Sequence, residues 1–103
     1  MLRTQIIETK NKINETVLLY GWVDSRRDHG KLIFIDLRDR SSSAQVVFLP
    51  QNKEAHSVAE TLRPEWVVEI HGIVRARPEK MVNPNIETGV IEIEAQKIRV
   101  LNE

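Results

Sequence analysis

Apolar and polar residues alternate with a period of two along most of this chain, which is the pattern of β-strands with one face buried. In the first run, Val17, Leu19, Gly21 and Val23 fall on one face. The alternating runs cover residues 17–24, 33–38, 44–49, 66–77 and 90–101. The pattern therefore predicts five strands.

The fifth run changes phase near Lys97. Ile91 and Ile93 share one face before this point, whereas Ile98 and Val100 take the inner side after it. One extra residue in the strand would produce this shift, because a β-bulge moves all later side chains to the opposite face. We therefore predict a bulge near Lys97.

One segment has helical rather than strand periodicity. Between residues 53 and 63, the apolar residues Ala55, Val58, Ala59 and Leu62 follow helical spacing, and Pro64 ends the segment. The sequence thus predicts one helix between the third and fourth strands. Residues 6–13 fit either a short helix or an additional edge strand. Residues 77–89, which contain two prolines and two asparagines, predict a long loop before the last strand.

This order of elements is the layout of the OB-fold, a five-stranded Greek-key barrel. We therefore predict an all-β protein with one helix between strands 3 and 4, and a single domain over residues 1–103. Small SH3-like barrels also have five strands, but they do not usually insert a full helix at this place.

Composition restricts the classes of function. Lys and Arg total 15, as do Asp and Glu, and the resulting net charge of zero argues against coating nucleic acid by charge alone. The chain has no cysteine, no stretch resembling a secretory signal and no apolar run near the ~18 residues of a membrane span. We expect a cytoplasmic protein without membrane association.

We find no pattern of catalytic residues. The three histidines lack metal-ligand spacing, the glycines form no phosphate-binding loop, and residues 41–43 lack the surroundings of a nucleophilic serine. We expect no catalytic residue, no metal site and no cofactor in this chain.

Phe34 is the most informative aromatic residue. Alternation places Phe34 on the outer face of its strand together with Asp36 and Arg38. An exposed ring among charged residues is an arrangement that single-stranded nucleic-acid binders use to stack a base. Alternatively, the N-terminal segment or a loop covers the ring. Alternation alone leaves both possibilities open.

Other polar residues share the predicted outer faces. Arg75 and Arg77 can reach phosphates or a base edge, or instead pair with Glu92 or Glu94 across the sheet. Gln45, at the start of the third strand, carries an amide that offers a donor and an acceptor to a base edge.

Two further groups border these faces. Arg26, Arg27 and Lys31 flank the turn between the first two strands, at the loop that borders the ligand face of OB-folds. We expect Trp22 and Trp66 to pack rather than to stack on bases. Trp22 lies on the outer register and can pack under another domain or subunit.

Several blocks closely resemble the N-terminal domain of bacterial aspartyl-tRNA synthetases, and the likeness covers essentially the whole chain. The blocks are GWV at 21–23, RRDHG at 26–30, LIFIDLRDR at 32–40, GIVRARP at 72–78, VNPN at 82–85 and TGVIE at 88–92, together with the opening MLRT at 1–4. The resemblance implies an anticodon-binding OB-fold domain that binds the anticodon stem-loop of aspartate transfer RNA.

The resemblance also implies roles for individual residues, because the aspartate anticodon reads guanine or queuine, then uracil, then cytosine. Phe34 would stack on the middle base, and Gln45 would form hydrogen bonds with its edge. Arg27, Arg75 and Arg77 would hold the third base and the nearby backbone.

Glu92 would accept hydrogen bonds from the first base, and Asn83 lies in the loop expected to close over the anticodon. The chain departs from the family at Ser25, where an arginine is common, and in the turn at residues 41–44. Neither departure touches the implied base-reading residues.

The complete family enzyme adds a catalytic domain that activates aspartate with ATP and magnesium, and it forms a homodimer. We expect this chain to be a monomeric binding domain that lacks the catalytic domain and is not an enzyme by itself. Two alternatives remain: a free-standing OB-fold protein that binds single-stranded nucleic acid without sequence preference, and an OB-fold module used for protein contacts.

Overall fold

A computed structural model of the protein describes residues 2–85 and 88–103. Over these residues, the strands are β1 (Thr16–His29), β2 (Leu32–Arg38), β3 (Ser43–Phe48), β4 (Val67–Ala76) and β5 (Ile91–Asn102). They form a closed barrel with the strand order β1-β2-β3-β5-β4. All paired strands are antiparallel except β3 and β5, which are parallel.

Helix α1 (Lys53–Ala59) lies between β3 and β4, and two 3₁₀ helices span Ile6–Asn11 and Glu79–Met81. The predicted OB-fold is confirmed. Of the two structures that the sequence allows for residues 6–13, a short helix or an edge strand, the structure contains the helix. Met1, which belongs to the resemblance at 1–4, and residues 86 and 87 of the predicted loop lie outside the described residues.

The inward-facing residues of all five strands fill the barrel, as their alternation predicts. The fully buried large side chains include Leu19, Ile35, Phe48, Ile70 and Ile93. Ala55 and Ala59 of α1, followed by Leu62, join the same core. No helix in the described part of the chain is long and apolar enough to cross a membrane.

Helix α1 ends earlier than predicted, at Ala59 instead of residue 63. The chain tightens there into a turn in which the Leu62 amide donates to the Ala59 carbonyl at 3.2 Å. Arg26 stabilises this turn, because its Nη1 donates to the carbonyls of Glu60 at 2.7 Å and of Ala59 and Leu62 at 3.3 Å. A guanidinium from β1 thus caps the helix.

The predicted bulge in β5 is confirmed. His71 pairs with Lys97, but its neighbour Gly72 pairs with Ala95, so Gln96 is the extra residue. Ile98 and Val100 beyond the bulge pack against the core. The bulge therefore lets one long strand contribute apolar side chains to the core on both sides of Gln96.

Candidate nucleic-acid interface

A second bulge, in β1, determines which residues share the outer surface around Phe34. The β1–β2 register shifts between Val23 and Ser25, so Asp24 is an extra residue. Strict alternation from Val23 would place Arg27 on the inner face. The bulge instead places Arg27 directly opposite Phe34, on the outer face.

Phe34 lies on the outer face of β2, between Arg27 of β1 and Val47 of β3. Its ring is half-buried and meets the His29 ring edge to face, with centroids 6.0 Å apart and planes at 85°. The ring also lines an open depression of about 320 Å³, beside Gln45 and Glu92. Phe34 is therefore partly covered and partly available to a ligand.

A continuous chain of hydrogen bonds crosses this surface from β2 to β5. Arg27 donates to Asp36, from Nη1 at 2.7 Å and from Nη2 at 3.4 Å. The same Nη2 donates to Gln45 Oε1 at 3.1 Å. Gln45 Nε2 then donates to Glu92 Oε2 at 3.2 Å. Three predicted RNA-binding residues are thus joined to one another and to Asp36.

Asp36 remains ionised at neutral pH. Burial raises the pKa of its carboxyl group, but hydrogen bonds from Arg27 and from the Ser25 hydroxyl, the latter at 2.6 Å, lower it more. The net pKa lies below the usual value for aspartate. The Arg27–Asp36 contact is therefore a charge-assisted pair across the neutral range.

Arg77 anchors the loop that follows β4. Its Nε donates to the Ile91 carbonyl at 2.8 Å, and its Nη1 donates to the Met81 carbonyl at 3.4 Å. Partial burial lowers the pKa of its guanidinium, against the opposing effect of the Glu92 and Asp36 carboxylates. Within the described residues, its Nη2 has no hydrogen-bond partner and remains available to a ligand.

Asn83 lies in the same loop. Its backbone amide donates to the Gly89 carbonyl at 3.0 Å, which holds the two arms of the loop together. Asn83 lines a second depression, of about 330 Å³, with Arg27, Gln45 and Arg77. The structure thus brings together six of the seven predicted RNA-binding residues: Arg27, Phe34, Gln45, Arg77, Asn83 and Glu92.

Arg75 is the predicted residue that the structure does not bring into this cluster. Its Nε binds Glu94 Oε2 at 3.1 Å, and its Nη1 reaches Asn14 Oδ1 at 3.5 Å. The cross-strand ion pair, which alternation left open as an alternative, is what the structure contains. Arg77, which follows the end of β4 at Ala76, has different partners.

Sequence reasoning missed the roles of two residues of this surface: Asp36, which binds Arg27, and Ser25, whose hydroxyl donates to Asp36. Asp36 follows Phe34 by two residues, which places both on one face, and this was the available signal. Ser25 had no signal, since its outward position depends on the bulge at Asp24.

The surface has mixed charge. Arg27 and Arg77 lie beside Asp24, Asp36 and Glu92, so a ligand meets donors and acceptors rather than a cationic patch. In residues 2–85 and 88–103, no group of three or more His, Cys, Asp or Glu side chains is arranged to hold a metal ion. This arrangement suits hydrogen bonding to base edges together with stacking on a ring.

The two tryptophans lie away from this cluster. Trp66 packs against the core, as predicted. Trp22 is half-buried on the outer face and lines a depression of about 440 Å³ with Tyr20, Arg3 and Arg40. The Arg3 guanidinium lies 5.7 Å from the centroid of the Tyr20 ring.

Comparison with known proteins identifies related sequences. The profile of the tRNA anticodon family, described as an OB-fold nucleic acid binding domain, matches residues 17–101. An aspartate–tRNA(Asp/Asn) ligase from Geobacillus sp. (strain WCH70) is 54% identical over 96 residues, covering 92% of this chain and 16% of that protein. An enzyme of the same name from Legionella pneumophila (strain Corby) is 45% identical over 104 residues, covering 99% of this chain and 18% of that protein. The chain therefore spans less than a fifth of the length of these relatives.

Solved structures show the same fold. Asparaginyl-tRNA synthetase from Pyrococcus horikoshii, complexed with asparaginyl-adenylate, matches with a TM-score of 0.81 and 25% identity, covering 99% of this chain and 23% of that one. OBody AM3L09, bound to hen egg-white lysozyme, matches with a TM-score of 0.80 and 26% identity, covering 100% of this chain and 98% of that one.

Proposed function

The chain belongs to the tRNA anticodon family of OB-fold nucleic acid binding domains, and from this premise we propose that it binds the anticodon stem-loop of aspartate transfer RNA. It would do so as the RNA-recognition domain of an aspartate–tRNA ligase. The relatives named aspartate–tRNA(Asp/Asn) ligase match nearly the whole chain at 45% to 54% identity, which supports a transfer RNA of the aspartate or asparagine type as the ligand.

The observation that carries the proposal is the convergence of one ring, one amide and several charged groups on a single surface. Phe34 stacks on the middle base, uracil, and Gln45 forms hydrogen bonds with its edge. Arg27 and Arg77 hold the third base and the nearby backbone, and Arg75 contacts the backbone after leaving Glu94. Glu92, the first-base partner, presents carboxylate oxygens to the donors of a guanine edge.

The charge distribution supports sequence-selective reading over binding without sequence preference. A non-selective binder needs a cationic groove that follows the phosphates. Here Asp36 and Glu92 lie beside Arg27 and Arg77, so a wrong base leaves charged or polar groups without partners. The loop that carries Asn83 lies next to the same groove and closes over the anticodon.

We place aspartate activation, with its ATP and magnesium, in a catalytic domain of a longer parent protein that forms a homodimer in the cytoplasm. The chain itself is then a monomeric binding domain without a catalytic residue, metal or cofactor of its own. This assignment agrees with the small share of the relatives' length that the chain spans.

The test compares two RNA stem-loops at the same salt concentration. One carries the aspartate anticodon, and the other has adenine in place of the middle uracil. We expect tighter binding of the first by the chain of 103 residues. Equal affinity for both would refute the anticodon proposal in favour of non-selective binding, and absence of RNA binding would favour a protein-contact module.

A further inference from the structure

The side-chain amide of Gln45 is held on both sides by groups of opposite character. Its Oε1 accepts from Arg27 Nη2 at 3.1 Å, and its Nε2 donates to Glu92 Oε2 at 3.2 Å. A rotation of the amide by 180° would place its NH₂ group against the guanidinium and its oxygen against the carboxylate. Both contacts would then be repulsive, so the amide has one favourable orientation.

Asp36 holds the Arg27 end of this arrangement. The Arg27 side chain is 45% exposed and would otherwise sample solvent, but Asp36 binds it through both terminal nitrogens. Asp36 is itself fixed by the Ser25 hydroxyl at 2.6 Å. The Nη2 that reaches Gln45 is one of the two nitrogens that Asp36 holds. Asp36 therefore controls where the partner of the Gln45 oxygen lies.

After these contacts, Gln45 retains one acceptor and one donor. Within residues 2–85 and 88–103, the second lone pair of Oε1 and the second hydrogen of Nε2 have no partner. Arg27 likewise keeps its Nε–H and one Nη1 hydrogen, and Glu92 keeps Oε1. The three residues can therefore hold one another and still bind bases.

The order of the remaining donor and acceptor distinguishes uracil from cytosine. Uracil offers a donor at N3 and an acceptor at O4, whereas cytosine offers an acceptor at N3 and a donor at N4 in the same places. The two bases are alike in size and in their ability to stack on Phe34. An amide free to rotate can satisfy either edge, but a fixed amide can satisfy only one.

We propose that Asp36, acting through Arg27, fixes the orientation of the Gln45 amide and so makes the domain select uracil over cytosine at the middle base. This inference rests on the proposed function, in which Gln45 reads that base. Asp36 contacts no RNA in this role and is a positioning residue. Glu92 holds the opposite end of the amide.

The test measures the ratio of dissociation constants for stem-loops with cytosine and with uracil at the middle position. For the unchanged chain we expect a ratio of roughly tenfold to a hundredfold in favour of uracil. Asp36→Asn keeps the shape of the side chain but places an NH₂ group against Arg27 Nη2, and we expect the ratio to fall by at least about threefold, because Glu92 alone then restrains the amide and the orientation that serves cytosine becomes more accessible.

Asp24→Asn is the matched control. Asp24 lines the same groove and pairs with Arg38 at 3.8 Å, so the substitution removes the same charge while leaving the hydrogen bonds of Arg27 and Gln45 in place. Both variants relieve repulsion of the RNA, but only Asp36→Asn should change the ratio. An equal change in both would overturn the proposal, because it would show a general charge effect.

A double variant tests whether Asp36 acts through Gln45. In a Gln45→Ala background, Asp36→Asn should leave the ratio unchanged, since no amide remains to be oriented. A further decrease in that background, or an unchanged ratio in Asp36→Asn alone, would overturn the proposal. If Asp36→Asn does not fold cooperatively, Ser25→Ala, which removes the contact that fixes Asp36, replaces it with the same expected direction.

The two hypotheses fail in different ways. If the unchanged chain does not distinguish uracil from any other middle base, the proposed function is refuted. If it prefers uracil and Asp36→Asn preserves the full preference over cytosine, only the positioning role of Asp36 is refuted.

Discussion

Replacement of Phe34 by alanine separates a binding role from a structural one, because the chain contains a matched control. It has two phenylalanines, Phe34 and Phe48. Phe34 is half-buried on the outer face of β2, whereas Phe48 is 0% exposed in the barrel core. Alanine at Phe34 should therefore mainly weaken RNA binding, whereas alanine at Phe48 should mainly lower stability.

The magnitudes follow from burial. Full burial of a phenylalanine side chain is worth about 1.5–3 kcal/mol, so loss of the half-buried Phe34 ring should lower the free energy of unfolding by about 1 kcal/mol. Phe48→Ala also creates a core cavity and should lower the free energy of unfolding by about 3–5 kcal/mol. A base stacked on Phe34 contributes about 1–3 kcal/mol, so Phe34→Ala should raise the dissociation constant about 5- to 150-fold.

The assay combines fluorescence anisotropy of the aspartate anticodon stem-loop at constant salt with thermal unfolding followed by circular dichroism. Phe34→Ala should lower the melting temperature by about 4–8 °C. An unchanged RNA affinity would refute the stacking role. A loss of stability as large as that of Phe48→Ala would show that the ring belongs to the core.

Three further variants test other parts of the structure. Asp39→Ala should lower the free energy of unfolding by about 2–3 kcal/mol. This buried carboxylate accepts hydrogen bonds from the Ile6, Ser41 and Ser42 amides and from the Ser41 hydroxyl. Burial raises the pKa of Asp39, but these hydrogen bonds lower it more, so its pKa in the folded protein lies below the usual value. The stabilisation of the fold by Asp39 is therefore present above the unfolded pKa of about 4 and is lost as pH falls through the folded pKa. Melting temperatures of wild type and variant should converge on acidification, and a constant difference would contradict this. Gly72→Ala places a Cβ 2.5 Å from Ile93 Cγ2 and 2.9 Å from the Glu94 carbonyl oxygen. The midpoint of its denaturant unfolding should therefore fall by the equivalent of about 1–3 kcal/mol in the free energy of unfolding. An unchanged midpoint would mean that β4 and β5 separate without cost. Arg77→Ala should weaken RNA binding and reduce the salt slope by about one if Arg77 contacts a phosphate, whereas lost selectivity at an unchanged slope would indicate a base contact.

The barrel was predictable because alternation persists wherever one face of a strand is buried. The bulge at Gln96 was visible for the same reason, since Ile98 and Val100 reveal the new phase. The bulge at Asp24 was not visible. Residues 24–30 are all polar or glycine, so no apolar side chain after Asp24 records the change of face.

The composition of the outer surface could be predicted, but its contacts could not. Phe34, Gln45 and Glu92 were placed outward by alternation, and the family resemblance supplied their roles. The bonds of Gln45 to Arg27 and Glu92 join residues 18 and 47 positions apart, and they depend on bulges and strand register. The end of α1 was missed for a similar reason, since its cap comes from Arg26 on a distant strand.

The central claim is that the surface around Phe34, and no other, contacts the middle base of the anticodon. Photo-cross-linking with an aspartate anticodon stem-loop that carries 5-iodouracil at this position tests it directly, because the activated ring reacts with an aromatic side chain stacked on it. The depression at Tyr20 and Trp22 provides an internal comparison on the same protein. Peptide mapping should locate the adduct at Phe34, and an adduct at Tyr20 or Trp22 instead would contradict the account.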